Sequence, residues 1–269
     1  MKKVAIVGVP IDTTLVLIDY ESDYYVPLEV LNLNSTVAAR KMMIEVAKNI
    51  SNLETTDFGE LTFGIESPKT REFKVEIRDC DKDYYDYISL DTLKTVKDDI
   101  LSLKKEFDYV ICTGPSHFGA LLLYEPDDFV ARFDFHGDFI AERSDLVVGE
   151  NYASYMNTVK RDIKPKRIFN YGWGGLNSIE KAYAMDLCGE LGFVGDNNHL
   201  QANHFDIDVD CFRNDLKMSK YHHCGNLLPK QVETMISEVK PKKIGVWEYR
   251  PFFDRGNGVK FLETLIQSL

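Results

Sequence analysis

The chain has 269 residues, a formal charge of −11, and 44% hydrophobic against 28% charged residues. That balance excludes a largely disordered chain and leaves enough apolar material for a sizeable core. The acidity excludes nucleic acid and anionic membrane surfaces as partners, because no Lys/Arg cluster is long enough to supply a basic face, while a small cationic substrate remains compatible.

One α/β domain covering 1–269 is expected from the length. Met1-Lys2-Lys3 followed by a short apolar run before Pro10 is too brief for a signal sequence and is expected to be a first buried strand. No later run approaches a membrane span. The five cysteines, Cys80, Cys112, Cys188, Cys211 and Cys224, form no CxxC pair, and their odd number fits a reducing, cytoplasmic compartment.

Along the chain, short apolar runs predict buried strands at Val4 to Val9, Tyr109 to Cys112, Val130 to Phe133, Ile168 to Tyr171, Phe205 to Val209 and Ile244 to Trp247. Between them, apolar residues at three- and four-residue spacing predict helices over Leu93 to Lys105, Ile179 to Leu191 and Lys230 to Val239. Residues 51 to 88 break the rhythm and read as loops with one or two irregular strands. The alternation predicts a mainly parallel sheet covered by helices.

Two of these strands end in acidic combs. Asp134-Phe135-His136-Gly137-Asp138 follows the run Phe129 to Phe133, so its polar side chains fall at alternate positions and share one side of an extended chain. Asp206-Ile207-Asp208-Val209-Asp210 repeats the device. In an open parallel sheet, ligands bind beyond the strands' carboxyl ends. Carboxylates gathered there repel one another and lose hydration, which divalent cations would offset. With His117 from Gly114-Pro115-Ser116-His117, the donors are carboxylates and imidazoles, a mixture that suits Mn²⁺ best, with Zn²⁺, Fe²⁺ or Co²⁺ as substitutes. So many acids are too many for one ion; a pair would acidify a shared water.

These residues resemble the ureohydrolase family, which includes arginase, agmatinase, guanidinobutyrase and formimidoylglutamase. Gly114-Pro115-Ser116-His117-Phe118 echoes the family's Gly-Gly-Asp-His-Ser, and Asp134-Phe135-His136-Gly137-Asp138 its Asp-Ala-His-x-Asp. His204-Phe205-Asp206-Ile207-Asp208 echoes Ser-x-Asp-x-Asp, and Glu248-Tyr249-Arg250-Pro251 meets the Glu-x-x-Pro of the last strand, with Asp254 following as in agmatinases. The resemblance runs from about Tyr109 to the C-terminus. It implies a three-layer arginase-like α/β fold, a common trimer or hexamer, and two divalent ions. One would be held by His117, Asp134, Asp138 and Asp206, the other by His136, Asp134, Asp206 and Asp208, with Asp134 and Asp206 bridging.

The family chemistry implied is attack of an ion-activated hydroxide on a guanidinium or amidine carbon. Asp138 would orient that hydroxide and take its proton, and Glu248 would pair with the planar cationic group. Agmatine-like substrates are preferred over arginine-like ones because of Asp254 and the lack of obvious groups for an amino-acid head; a formimidoyl substrate, or a metal-binding protein without this activity, are the alternatives. Three departures stand out. Ser116 replaces an Asp that supports the metal-bound His, Tyr152 replaces the His of a His-Ala-Ser segment thought to shuttle protons, and the Pro-Gly-x-Arg element after the first strand is missing.

Other candidates read more plainly. His222-His223-Cys224 is expected in a loop, Gly172-Trp173-Gly174-Gly175 in a tight turn, and Cys112 in core packing. His204 either hydrogen-bonds the metal shell or is structural.

Overall fold

The computed structural model describes residues 1–10, 28–61, 90–139, 155–172, 174, 200–216, 218, 225–251 and 254–269. In chain order these form β1 (Lys2–Gly8), α1 (Leu28–Ala47), β2 (Leu53–Glu60), α2 (Leu90–Ser102), β3 (Tyr109–Gly114) and β4 (Phe129–Phe133). There follow α3 (Tyr155–Thr158, continuing as a π turn), β5 (Arg167–Tyr171), β6 (His204–Asp208), α4 (Pro229–Val239), β7 (Lys243–Trp247) and α5 (Asn257–Gln267).

Among the described residues the strands make one seven-stranded sheet in the order β2-β1-β3-β7-β6-β4-β5. Every neighbouring pair is parallel. Alternate side chains go to opposite faces, as the pleat demands. Val4, Ile6, Ile111, Phe133, Phe205, Ile207, Ile244 and Val246 pack with Ala39 and Met43 of α1, Val232 and Ile236 of α4, and Leu262 and Leu265 of α5. Ala5, Val7, Val110, Cys112, Val130 and Ile168 face the other way, onto Ile100 of α2 and Tyr155 and Met156 of α3. The result is three layers with a core on each face of the sheet.

Each predicted strand is present, with shifted ends. The sixth begins at His204 and stops at Asp208, because Val209 opens a short 3-10 turn. The region read as irregular holds an edge strand, β2, which pairs with β1 from Lys2↔Leu53 to Ile6↔Asp57 and then shifts register to Gly8↔Glu60; residues 62–89 lie outside the described residues. So does the predicted helix at Ile179 to Leu191. Besides the single turn α3, two longer helices were not predicted from the sequence. In α1 the buried positions Thr36, Ala39, Arg40, Met43 and Ala47 keep helical spacing although polar residues interrupt the apolar run. In α5, Phe261, Leu262, Leu265 and Ile266 are buried, and Asp254 accepts from the backbone of Gly258 and Val259 at the helix start, both at 2.9 Å.

The amino end of the central strands is closed by charge. Lys243, at the start of β7 and 1% exposed, donates to both Asp128 carboxylate oxygens at 2.6 Å, to Glu125 at 2.7 Å and to the Leu123 carbonyl at 2.7 Å. Burial alone would raise the Asp128 carboxyl, but His204 and Lys243 hold it well below the usual range. His204 lies 3.6 Å from Asp128, with its ring against Tyr124, so it belongs to this floor and its role is structural.

Candidate metal centre

At the opposite end, four adjacent strands, β3, β7, β6 and β4, deliver all the polar groups that converge. His117 follows β3, where Ser116 accepts from the Phe118 backbone at 3.3 Å and starts the 3-10 turn His117–Leu122. Asp134 follows β4, Asp208 ends β6, and Glu248 follows β7. Asp138 and Glu248 both have left-handed backbones, φ 54° and 60°, a conformation that non-glycine residues seldom adopt and that concentrates at functional sites. Hydrogen bonds hold them there, from Glu248 N to Gly114 O at 3.0 Å and from Met156 N to Asp138 O at 3.3 Å.

His117 is the hub. It is 1% exposed, and oxygens of Asp134, Asp208 and Asp138 stand 2.9, 3.1 and 3.2 Å from its Nδ1. None of them lies in hydrogen-bonding direction, which leaves Nδ1 buried without a hydrogen-bond partner. Two ligands of one octahedral ion at about 2.1 Å stand about 3 Å apart, so these spacings match donors facing a common cation. A second group shares Asp134: the ligand atoms of Asp134, His136 and Asp210 lie within 4.8 Å of one another. There, Asp210 Oδ2, also without a hydrogen-bond partner, is 2.8 Å from His136 Nδ1. Asp208, Asp210 and Glu248 make a third such group. The residues present therefore fit divalent cations.

The structure sets Asp206 and Asp210 at different depths relative to Asp134. Parallel pairing sets Arg132 level with Asp206 and Phe133 level with Ile207. Asp134, the next residue of its chain, is accordingly level with Asp208, and Asp206 sits one step deeper than the centre. Its carboxylate is saturated there. Oδ1 accepts from Trp247 Nε1 at 2.8 Å and lies 3.1 Å from His117 Nε2, and Oδ2 accepts from the Tyr124 and Tyr155 hydroxyls at 2.7 and 3.1 Å. Asp206 thus has hydrogen-bonding neighbours at both oxygens. Asp210, which the resemblance left without a role, faces His136. Gly119 and Gly245 leave the room that the Trp247 indole needs, since a Cβ at either would collide with the ring.

Arg132 is a second unforeseen member. Wholly buried, it donates to Asp134, to Asp138 at 2.6 Å, to the His136 carbonyl at 2.9 Å and, through Nε, to the Tyr155 hydroxyl at 3.1 Å. A charged residue inside a strand run such as Phe-Val-Ala-Arg-Phe needs a partner, and that was the available signal. Burial would raise the Asp134 carboxyl, but Arg132 and His117 hold it below the usual range. Burial and the neighbouring Asp134 push Asp138 up to about 6. Glu248 is raised by burial, then by Asp208 and Asp210. Burial disfavours the charged form of His136, yet Asp210, Asp134 and Asp138 lift it to about 10.

Tyr152, Trp173 and the His222-His223-Cys224 segment lie outside the described residues. Cys112 is fully buried, its thiol pushed up to about 12 by burial, as core packing implies. Asp254 is committed to the α5 start and to the Tyr249 hydroxyl at 2.9 Å. This removes one of the two grounds for preferring an agmatine-like substrate.

No protein-family model matches the sequence, and no curated protein does. Solved structures do match. The formiminoglutamase of Trypanosoma cruzi, solved with Mn²⁺, superposes with a TM-score of 0.67 at 12% identity, over 99% of this chain and 94% of that one. An arginase from Bacillus subtilis gives 0.64 at 15% identity over 98% of both chains. The agmatine ureohydrolase of Thermoplasma volcanium gives 0.63 at 18% identity over 99% of this chain and 89% of its own. The chain is an arginase-fold α/β protein with a buried carboxylate–histidine centre at the strand ends. The structures that share this fold include those titled arginase, agmatine ureohydrolase and formiminoglutamase.

Proposed function

We propose that the chain is a divergent ureohydrolase, a metal-dependent enzyme that hydrolyses a C–N bond of a small cationic guanidino or amidino compound. The observation that carries this reading is the convergence on His117 Nδ1 of three carboxylates from two other chain segments, Asp134 and Asp138 after β4 and Asp208 at the end of β6, none in hydrogen-bonding direction. His117, Asp134, Asp138 and Asp208 would hold one divalent ion, and Asp134, His136, Asp208 and Asp210 a second; the mixed oxygen and imidazole donors favour Mn²⁺. Such a pair, when bound, acidifies a water into a nucleophile near neutral pH.

The chain's own groups have distinct tasks. Asp138, with its carboxyl near 6, is suited to accept a proton at neutral pH. Glu248, 4% exposed and beside Asp208 and Asp210, is suited to pair with a guanidinium or amidinium through two parallel hydrogen bonds. Tyr152 stands where the resemblance implies the proton-shuttling His, and in this proposal its phenol acts only as a donor.

Incubation of Mn²⁺-loaded protein with agmatine, arginine, guanidinobutyrate and formimidoylglutamate tests the reading. Release of urea from a guanidino compound is the expected outcome. Formamide or ammonia release would move the substrate to the formimidoyl class. Bound metal with no turnover of any compound would make this a metal-binding protein without the activity, as Tyr152 in place of histidine suggests.

A further inference from the structure

The buried layer beneath the centre has its own logic. A histidine that binds a cation through Nδ1 must carry its proton on Nε2, and a carboxylate partner at Nε2 fixes that tautomer and the ring's orientation. Ser116 stands where the resemblance implies such a support, but its Oγ accepts from the Phe118 backbone instead. A carboxylate does stand behind His117, and it comes from another strand. Asp206 Oδ1 lies 3.1 Å from His117 Nε2, with both groups no more than 1% exposed, and the Tyr155 hydroxyl, which donates its own proton to Asp206, stands 2.9 Å from the same nitrogen as a second acceptor.

Asp206 is itself fixed on every side. Trp247 holds Oδ1 at 2.8 Å, while Tyr124 and Tyr155 hold Oδ2 at 2.7 and 3.1 Å. The Tyr155 hydroxyl in turn accepts from Arg132 Nε at 3.1 Å. Four donors fill the lone pairs of one carboxylate, so the oxygens have no capacity left for a metal bond, and the group cannot rotate without breaking several hydrogen bonds.

We propose that Asp206 is a positioning residue that orients His117 to bind a divalent cation through Nδ1. The inference rests on the metal-centre reading above, and makes Asp206 the rear partner of a ligand instead of a ligand. Loss of such a partner typically weakens metal binding about 10- to 100-fold while leaving the ligand set complete.

The test compares Mn²⁺ stoichiometry and affinity, by elemental analysis and calorimetry, in the wild type, Asp206→Asn and Asp210→Asn. The wild type is expected to take two equivalents. Asp206→Asn, nearly isosteric, is expected to retain two with the His117 ion weakened about 10- to 100-fold, and Asp210→Asn to retain one. A second readout does not depend on affinity: in Zn²⁺-loaded protein, the His117 Nε2 proton should resonate far downfield and exchange slowly in the wild type, and move upfield and exchange faster in Asp206→Asn. Loss of one equivalent from Asp206→Asn with two retained by Asp210→Asn would make Asp206 a ligand and overturn the proposal; so would an unmoved Nε2 proton. Wild-type protein that takes up no transition metal would overturn the metal-centre reading itself, and the inference with it.

Discussion

Arg132 changes how the charge at the centre is balanced. Carboxylates crowded at two strand tips invite the conclusion that only metal ions can neutralise them, yet a guanidinium is built in among them, touching both Asp134 and Asp138. Removing one partner of a buried ion pair leaves the other uncompensated and costs about 3–5 kcal/mol. Arg132→Met should therefore destabilise the metal-free protein by about that amount, and by visibly less once Mn²⁺ is present to balance the same oxygens. Urea denaturation with and without the ion measures both, and an equal loss in the two conditions would contradict the shared-oxygen argument.

At the scale of elements, the four central strands set the site, and their carboxyl ends were legible because each apolar run stops where polar residues begin. Which aspartates face His117 Nδ1 was not legible. Asp206-Ile207-Asp208-Val209-Asp210 repeats every second residue, so its local pattern is unchanged by a shift of two, and only the pairing of Phe133 with Ile207 across to β4 decides the level. Arg132 was hidden for a related reason, since one cation inside a hydrophobic run does not disturb its period. The α5 helix shows a local signal beneath a family one: Asp254 favours an agmatine-like substrate through the resemblance, while its oxygens accept from the backbone at the helix start. Asp254→Ala should lower stability by about 0.5–2 kcal/mol and leave KM for any substrate unchanged; a raised KM without a stability loss would return Asp254 to the binding site.

For the molecule as a whole, the raised carboxyls make stability depend on pH in a definite direction. Asp138 rises from its ordinary 3.8 to about 6 in the fold, so the folded state holds a proton that the unfolded chain has released. That contribution is complete below pH 3.8 and disappears as pH climbs through about 6. Asp208 and Glu248 are shifted in the same sense by burial and by their acidic neighbours. Thermal melting of metal-free protein should therefore fall between pH 3.8 and about 6, the window set by the Asp138 value, and metal-loaded protein should lose the trend because cations replace the protons. A metal-free melting temperature that rises across this window would count against the buried carboxylate cluster. No helix among the described residues is long and apolar enough to cross a membrane.

The Lys243 floor gives the centre a front and a back. With the amino ends of the strands plugged by an amine bound to Asp128 and Glu125, traffic must pass the other way, where the His136 side chain is 42% open while those of Asp134 and Asp210 are 1% open. In the two-ion centre proposed above, the positions would then be unequal in kinetics even if equal in affinity: an ion at His136 would exchange with bulk solution first, and one behind it at His117 would be trapped until its neighbour had gone.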